Sequence, residues 1–152
     1  MAWIVYKPLK QRAMVLMIRR ILAVAAATAA MFGLAGLYTG VLARDFITSN
    51  VDAAMLRTPP NLALVAFGYF VLALIMTSIY PKFHRPGSSP ALSGLLFGAA
   101  AGVCWLMPYS LVLFGVYKFP YAVLPMDFVW ALIEQGAGGL MIGLILGKSL
   151  AA

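Results

Sequence analysis

Four long apolar runs, separated by short polar segments, constrain this chain more than any other feature. The runs cover about residues 21–43, 62–80, 92–117 and 127–146. A helix needs about 20 apolar residues to cross a bilayer, and each run supplies roughly that length. Hydrophobic residues make up 64% of the 152 and charged residues only 10%, which is too little charge for the surface of a water-soluble protein. The sequence therefore predicts an all-α integral membrane bundle of four transmembrane helices.

The four runs leave little of the chain for other domains. We expect a transmembrane domain over residues 21–148, a basic interfacial segment over residues 1–20 and a C-terminal tail over residues 149–152. The basic segment mixes apolar and aromatic residues with Lys and Arg, as amphipathic segments at a membrane surface do. Charge that only sets the topology is the alternative interpretation. Lipid headgroups are the expected partners of its basic residues, which are Lys7, Lys10, Arg12, Arg19 and Arg20.

The basic residues are distributed unevenly along the chain. If the N-terminus is inside, three of the 11 Lys and Arg fall outside, namely Arg44, Arg57 and Lys118. The others fall inside: Lys7, Lys10, Arg12, Arg19, Arg20, Lys82, Arg85 and Lys148. Because Lys and Arg accumulate in cytoplasmic segments, we expect an N-in, C-in, multi-pass protein of the cell inner (cytoplasmic) membrane. This topology also accounts for the net charge of +7, so no nucleic-acid partner is expected.

Small residues recur at four-residue spacing on three of the runs. The third run carries Gly94, Gly98 and Gly102, the fourth carries Gly139, Gly143 and Gly147, and the first carries Ala29, Gly33, Gly36 and Gly40. Such stripes allow two helix backbones to approach closely in a membrane. We expect helix packing at these stripes, with the partner being either another helix of this chain or a second protein.

Pro108 lies inside the third run. Proline has no backbone N–H, so it cannot donate to the carbonyl one turn back, near Cys104, and it usually bends a helix. We expect a kink at this point.

Glu134 is the only acidic residue well inside any run. Counted from Asp127, it lies roughly 10 Å below the outer boundary, where a carboxylate is costly unless it is paired, hydrogen-bonded or hydrated. We therefore expect its side chain to face the bundle interior. Residues expected at the same depth, with two arginines as candidate counter-ions, are Tyr38, Thr39, Tyr69, Tyr109 and Ser110, and Arg44 and Arg57.

Several roles remain open for these polar residues. Glu134 could be a hydrogen-bonded structural group, a proton, ion or ligand site, or a contact with a partner subunit. The tyrosines also fit the ordinary enrichment of tyrosine at membrane interfaces. Asp127 fits the N-terminus of a helix, where capping and the helix dipole favour negative charge.

The sequence lacks the residues that common enzymes and cofactor sites need. One histidine, His84, and one cysteine, Cys104, cannot supply a histidine pair for haem or a metal, or a pair of thiols. No phosphate-binding loop, HExxH motif or nucleophile elbow occurs. We therefore expect no catalytic residues, no metal, no cofactor and no enzymatic activity.

Two function hypotheses follow. The first is a non-catalytic structural or accessory subunit that packs through its glycine-rich helix faces, as a homo-oligomer or within a larger membrane complex. The second is a small transporter or channel that uses Glu134 as a proton, ion or ligand site, with Tyr109, Tyr69, Tyr38 and Ser110 around it. A stable co-purifying partner would favour the first hypothesis, and a solvent-connected pocket at Glu134 would favour the second.

Overall fold

The computed structural model describes residues 9–85 and 87–150, and this part of the chain is helical without any strand. The helices are α1 (Leu9–Leu37), α2 (Arg44–Asn50), α3 (Leu62–Ile79), α4 (Pro90–Ala101), α5 (Met107–Val116) and α6 (Leu124–Leu150). Four stretches are long and apolar enough to cross a membrane, and we name them spans one to four: Gln11–Leu42, Leu62–Lys82, Pro90–Val116 and Tyr121–Gly147. The all-α fold with four apolar helices of membrane length is confirmed.

Two of the spans begin earlier than the sequence suggests. α1 is continuous from Leu9, so the described part of the basic segment belongs to the helix of span one. α6 begins at Leu124 because Pro125 falls in its first turn, where a proline is tolerated since the first N–H groups of a helix have no intrahelical partner. The polar loop before span four is correspondingly shorter than expected.

The basic residues assigned to lipid contact have different surroundings. Lys7 lies outside the described residues, and Lys10 lies in the first turn of α1. Arg12 and Arg20 are exposed. Arg19 instead turns toward α6, where its guanidinium donates to the Ile145 carbonyl at 3.4 Å. A cation is favourable near the C-terminal end of a helix, so Arg19 contributes to the α1–α6 contact.

Two π-helical turns interrupt the spans. Span one ends in the turn Tyr38–Leu42, in which the Ala43 N–H donates to the Tyr38 carbonyl at 2.8 Å. In span three the turn Gly102–Leu106 joins α4 to α5, and the Met107 N–H donates to the Gly102 carbonyl. This turn places Pro108 in the first turn of α5. The chain thus accommodates the proline with a widened turn, and such turns often lie beside functional sites.

α6 is the centre of the bundle. It packs against α4 on one side and α1 on the other, and α1 also packs against α3. In the most apolar 18-residue stretch of each span, 50% of span four is buried, compared with 11% of span three. α1 and α6 are antiparallel, because Arg19 contacts Ile145 near the end of α6 while Tyr38 stacks on Trp130 near its start. The beginning of α1 and the end of α6 therefore lie at one end of the bundle.

The glycine stripes of spans three and four face each other. We call this contact the glycine seam; it consists of Gly94, Gly98, Gly102, Gly139, Gly143 and Gly147. A Cβ atom added to Gly98 would lie 2.9 Å from the Gly139 Cα, and one added to Gly143 would lie 2.8 Å from the Gly94 Cα. The backbones of spans three and four are in contact, so each of these two glycine stripes packs against another helix of this chain.

The small residues of span one have a different environment. Ala29 is exposed. A Cβ atom added to Gly33, Gly36 or Gly40 would meet no described atom within 4 Å. This third stripe therefore has no partner within the described part of the chain.

Candidate functional site

A cavity of about 1110 Å³ lies between α3 and α4, with α1 and α6 forming its back wall. α3 and α4 do not pack closely against each other over their described lengths, and the space between them forms the cavity. The two spans meet at one end only, where the rings of Tyr80 and Phe83 each lie 5.4 Å from the ring of Phe97, centroid to centroid. The result is a cleft that is closed near the loop between spans two and three and open beyond it.

Glu134 lines this cavity and is only 4% exposed. It lies at the midpoint of span four, Tyr121–Gly147, whereas the sequence analysis placed it closer to the outer end. The difference arises because span four begins before Asp127. A carboxyl group at this depth has the highest cost of any position along the span unless polar groups or a cation face it.

Three hydrogen-bonding groups surround the Glu134 carboxyl group. The Trp130 Nε1–H donates to Oε2 at 3.0 Å, and the Gln135 Nε2–H donates to Oε1 at 2.9 Å. The Tyr69 side chain, from α3, lies close to the same carboxyl group. These groups replace part of the hydration that the carboxyl group loses inside the bundle.

The candidate counter-ions do not reach Glu134. Asp127, Tyr69, Trp130 and Gln135 are the described groups that act on it electrostatically. Neither Arg44 nor Arg57 is among them, so the expectation of an arginine counter-ion is wrong for the described residues. Both arginines lie in the segment between spans one and two, whereas Glu134 lies at the midpoint of span four.

Trp130 and Gln135 were not expected from the sequence. The residues expected around Glu134 lie at equal depth on other spans, whereas Trp130 and Gln135 lie on α6 itself. Trp130 precedes Glu134 by four positions, which places the two on the same helix face. Gln135 is the only amide side chain within the four apolar runs. These two signals could have identified both residues.

Tyr38 takes part in the site through Trp130. Its ring stacks on the indole with centroids 4.3 Å apart and an interplanar angle of 11°. This contact from α1 holds the indole whose N–H binds Glu134. Thr39 also lines the cavity, but its hydroxyl donates to the Ala35 carbonyl of its own helix at 2.8 Å.

Ser110 and Asp127 form a second polar pair in the cavity wall. The Ser110 hydroxyl donates to the Asp127 carboxylate, so the expected contact of Ser110 with Glu134 is wrong. Asp127 lies in the first turn of α6, where the helix dipole favours its charge. Its carboxylate binds a side chain on span three and also lines the cavity.

Tyr109 lies outside the site. It is 57% exposed and is not part of the cavity wall, so its expected place beside Glu134 is wrong. Counting residues from the end of a span predicts depth but does not predict which face of the helix a residue occupies. Ser110 faces inward, and the preceding residue is rotated by about 100° around the helix axis.

No protein-family model matches this chain, and no curated protein or solved structure matches it. A function therefore has to be argued from the cavity and its residues. The cavity places a carboxyl group at the middle of a membrane-length helix, beside aromatic rings and largely apolar walls. Such a site can hold a proton, or it can bind a cation with an apolar body.

Proposed function

We propose that this protein is a small multi-pass transporter or channel of the cytoplasmic membrane that uses Glu134 as its proton, cation or ligand site. The observation that carries the proposal is the cavity of about 1110 Å³ that reaches Glu134. A carboxyl group that served only to hold helices together would be enclosed by its partners. Glu134 has such partners, but it also lines the cavity.

The position of Glu134 also supports transport. A site that is reached alternately from two sides of a membrane works best near the middle of the bilayer. A carboxyl group in apolar surroundings either holds a proton or faces a cation. Exchange between these two states would couple movement of a cation to movement of a proton.

The charge distribution supports an N-in, C-in orientation. Arg12, Arg19 and Arg20 lie near the beginning of α1, at the end of the bundle where α6 finishes. Lys82 and Arg85 lie in the loop before Pro90, which packs on Gly147 near that same end. Reporter fusions at Gly87 and at the C-terminus should both be active in the cytoplasm. A C-terminal reporter that is active only outside would contradict this orientation.

A second candidate function is that of an accessory subunit, and one observation favours it. The glycine seam is filled by this chain, but the small residues Gly33, Gly36 and Gly40 of span one are exposed. A face of this kind permits close approach of another helix. It is compatible with self-association of a transporter, so it does not compete with the first proposal.

The test is ion flux in proteoliposomes. Purified protein is reconstituted with a pH-sensitive dye inside, and proton flux is followed after a pH jump, with and without Na⁺ or K⁺ gradients. Glu134→Gln keeps the shape and much of the hydrogen bonding of the side chain but cannot titrate. Asp45→Asn is the matched control, because Asp45 is an exposed acid in the first turn of α2. We expect flux from the parent and the control, and flux at least roughly tenfold lower from Glu134→Gln. Equal flux from all three proteins would contradict the proposal.

A further inference from the structure

We infer that the ligand of the Glu134 cavity is a lipophilic organic cation, with one positive charge and an aromatic or branched apolar body, which reaches the site sideways between α3 and α4. This inference rests on the proposed function and adds to it the chemical class of the ligand and its route. Four features of the cavity support it: charge, an unpaired acceptor, aromatic rings and shape.

The charged side chains that line the cavity differ in exposure. The titratable groups that line it are Tyr38, Tyr69, Arg85, Cys104, Asp127 and Glu134. Arg85 is exposed in the loop before span three, whereas Glu134 is buried at the midpoint of span four. Asp127, which binds Ser110, adds a second acidic group to the wall. The buried part of the wall therefore offers an acid and no described cation, and it complements a positive charge.

Gln135 adds an independent indication. It is 1% exposed and lines the cavity, and its Nε2–H is used by Glu134. Its Oε1 atom accepts no hydrogen bond from the described residues. A buried acceptor without a donor is costly. A positive ligand beside it would supply the missing favourable interaction, either as an N–H donor or through its charge alone.

Aromatic rings line the same cavity as these acceptors. They belong to Tyr38, Tyr69, Phe83, Phe97, Trp105 and Trp130. The face of an aromatic ring attracts a cation that lies within about 6 Å of its centroid, and this attraction increases when water is excluded. The stacked pair of Tyr38 and Trp130 stands directly beside Glu134. A carboxylate next to aromatic faces is the arrangement that binds organic ammonium or phosphonium groups.

The size and the opening of the cavity agree with such a ligand. Its volume of about 1110 Å³ slightly exceeds that of typical sites for small organic molecules, which take roughly 300–1,000 Å³. The cleft opens between α3 and α4, toward the surface that would face lipid, where Trp105 is 65% exposed. A lipophilic cation concentrates in the bilayer, so it can enter from the side. A hydrated inorganic ion has no comparable reason to cross these apolar walls.

Charge balance determines how many protons leave Glu134 when an organic cation binds. The proposed exchange starts with a proton on Glu134, because the side chains that donate to its carboxyl group, Trp130 and Gln135, are not cations. Binding of one monovalent organic cation forms an ion pair with the Glu134 carboxylate and releases that proton. No bond other than O–H breaks, and the charge of the site is unchanged. One proton is therefore released per cation bound.

The first experiment measures binding to the full chain in lipid nanodiscs. Tetraphenylphosphonium is the probe, and tetraphenylborate, which has nearly the same shape and the opposite charge, is its control. Calorimetry in two buffers of different ionisation enthalpy measures both the affinity and the protons released. We expect saturable binding of the cation with about one proton released, affinity at least roughly tenfold lower for Glu134→Gln, and unchanged affinity for Asp45→Asn.

The second experiment needs no variant, so it is informative even if Glu134→Gln does not fold. Cys104 is the only cysteine of the chain, is exposed and lines the same cavity. Its reaction with a membrane-permeant maleimide is followed by mass spectrometry. We expect tetraphenylphosphonium to slow this reaction at least roughly tenfold at saturating concentration, while tetraphenylborate leaves the rate unchanged.

The outcomes separate the inference from the proposed function. Equal binding of the phosphonium and the borate, or no protection of Cys104 by the phosphonium, overturns the inference. If the phosphonium does not bind while Glu134-dependent proton or metal-ion flux is present, the inference fails and the proposed function stands. If both binding and Glu134-dependent flux are missing, both fail. Cation-selective, Glu134-dependent binding with protection of Cys104 supports the inference.

Discussion

Span three has two faces that pack in opposite ways. One face is the glycine seam, where Gly94 and Gly98 bring α4 into backbone contact with α6. The other face, which includes Leu96 and Phe97, borders the open cleft toward α3. At Gly94 and Gly98 the seam leaves no room for a side chain, whereas the cleft leaves room for a molecule. Rigid packing on one side of the helix therefore positions the wall of a cavity on the other side.

The comparison explains why helices that are equally apolar pack so differently. In a membrane, apolar side chains gain little by leaving lipid, and close association needs small residues on both partners. α4 and α6 each supply a stripe of glycines. α3 contains one glycine, Gly68, which borders the cavity, and a Cβ atom added there would meet no described atom within 4 Å. The pair α3 and α4 has no basis for a seam, so it stays apart.

The largest effect should follow from disturbing the seam. Gly98→Leu would force α4 away from α6, because even a Cβ atom at this position would lie 2.8 Å from the Gln135 carbonyl carbon and 2.9 Å from the Gly139 Cα. We expect roughly 3 kcal/mol of destabilisation, seen as a lower melting temperature in detergent. Gly115→Leu is the control, since a Cβ atom there meets no described atom within 4 Å. Equal melting temperatures for the two variants would show that the seam does not exist.

A smaller effect should follow from removing a donor in the cleft. Trp130→Phe preserves a ring against Tyr38 but removes the N–H that binds Glu134. A hydrogen bond to a charged or buried carboxyl group contributes about 1–2 kcal/mol, so thermal stability should fall by that amount. Trp105→Phe is the matched control, because Trp105 is 65% exposed. If the control is affected as much as Trp130→Phe, the indole of Trp130 does not hold Glu134.

The smallest effect is expected at the mouth of the cleft. Ser110→Ala removes the hydroxyl that donates to Asp127, between span three and span four. The expected cost is about 1 kcal/mol. Ser78→Ala serves for comparison, because the exposed Ser78 hydroxyl donates only to the Leu74 carbonyl of its own helix. A melting temperature for Ser110→Ala that matches Ser78→Ala would mean that the Ser110–Asp127 contact contributes nothing.

Sequence reasoning succeeded where a regular pattern corresponds to one kind of contact. Four apolar runs predicted four helices of membrane length, and glycine at every fourth position predicted close packing. Sequence reasoning was less successful where the position of a residue around the helix axis decides which groups it contacts. Tyr109 and Ser110 are neighbours in sequence, yet one faces outward and the other inward. The π-helical turn at Gly102–Leu106 changes that angle, and no simple periodicity predicts it.

Sequence patterns did not predict the cleft. A cavity results from contacts that do not form, and the residues around it are ordinary membrane residues such as Leu96 and Phe97. The polar group within it was conspicuous, because Glu134 is the only acid well inside an apolar run. Its burial in the bundle could therefore be predicted, whereas its immediate partners on α6 could not be found by counting depth on other spans.

The proposed site requires a protonated Glu134 carboxyl group that a small molecule can reach in the cleft between spans two and three. Dicyclohexylcarbodiimide tests it most directly, because this apolar reagent modifies protonated carboxyl groups in apolar surroundings. The protein is treated in lipid and digested, and the modified acid is identified by mass spectrometry, with Glu134→Gln as the control. We expect a stable adduct on Glu134 that is absent from the control. An unmodified Glu134, or adducts confined to the exposed Asp45 and Asp52, would contradict it.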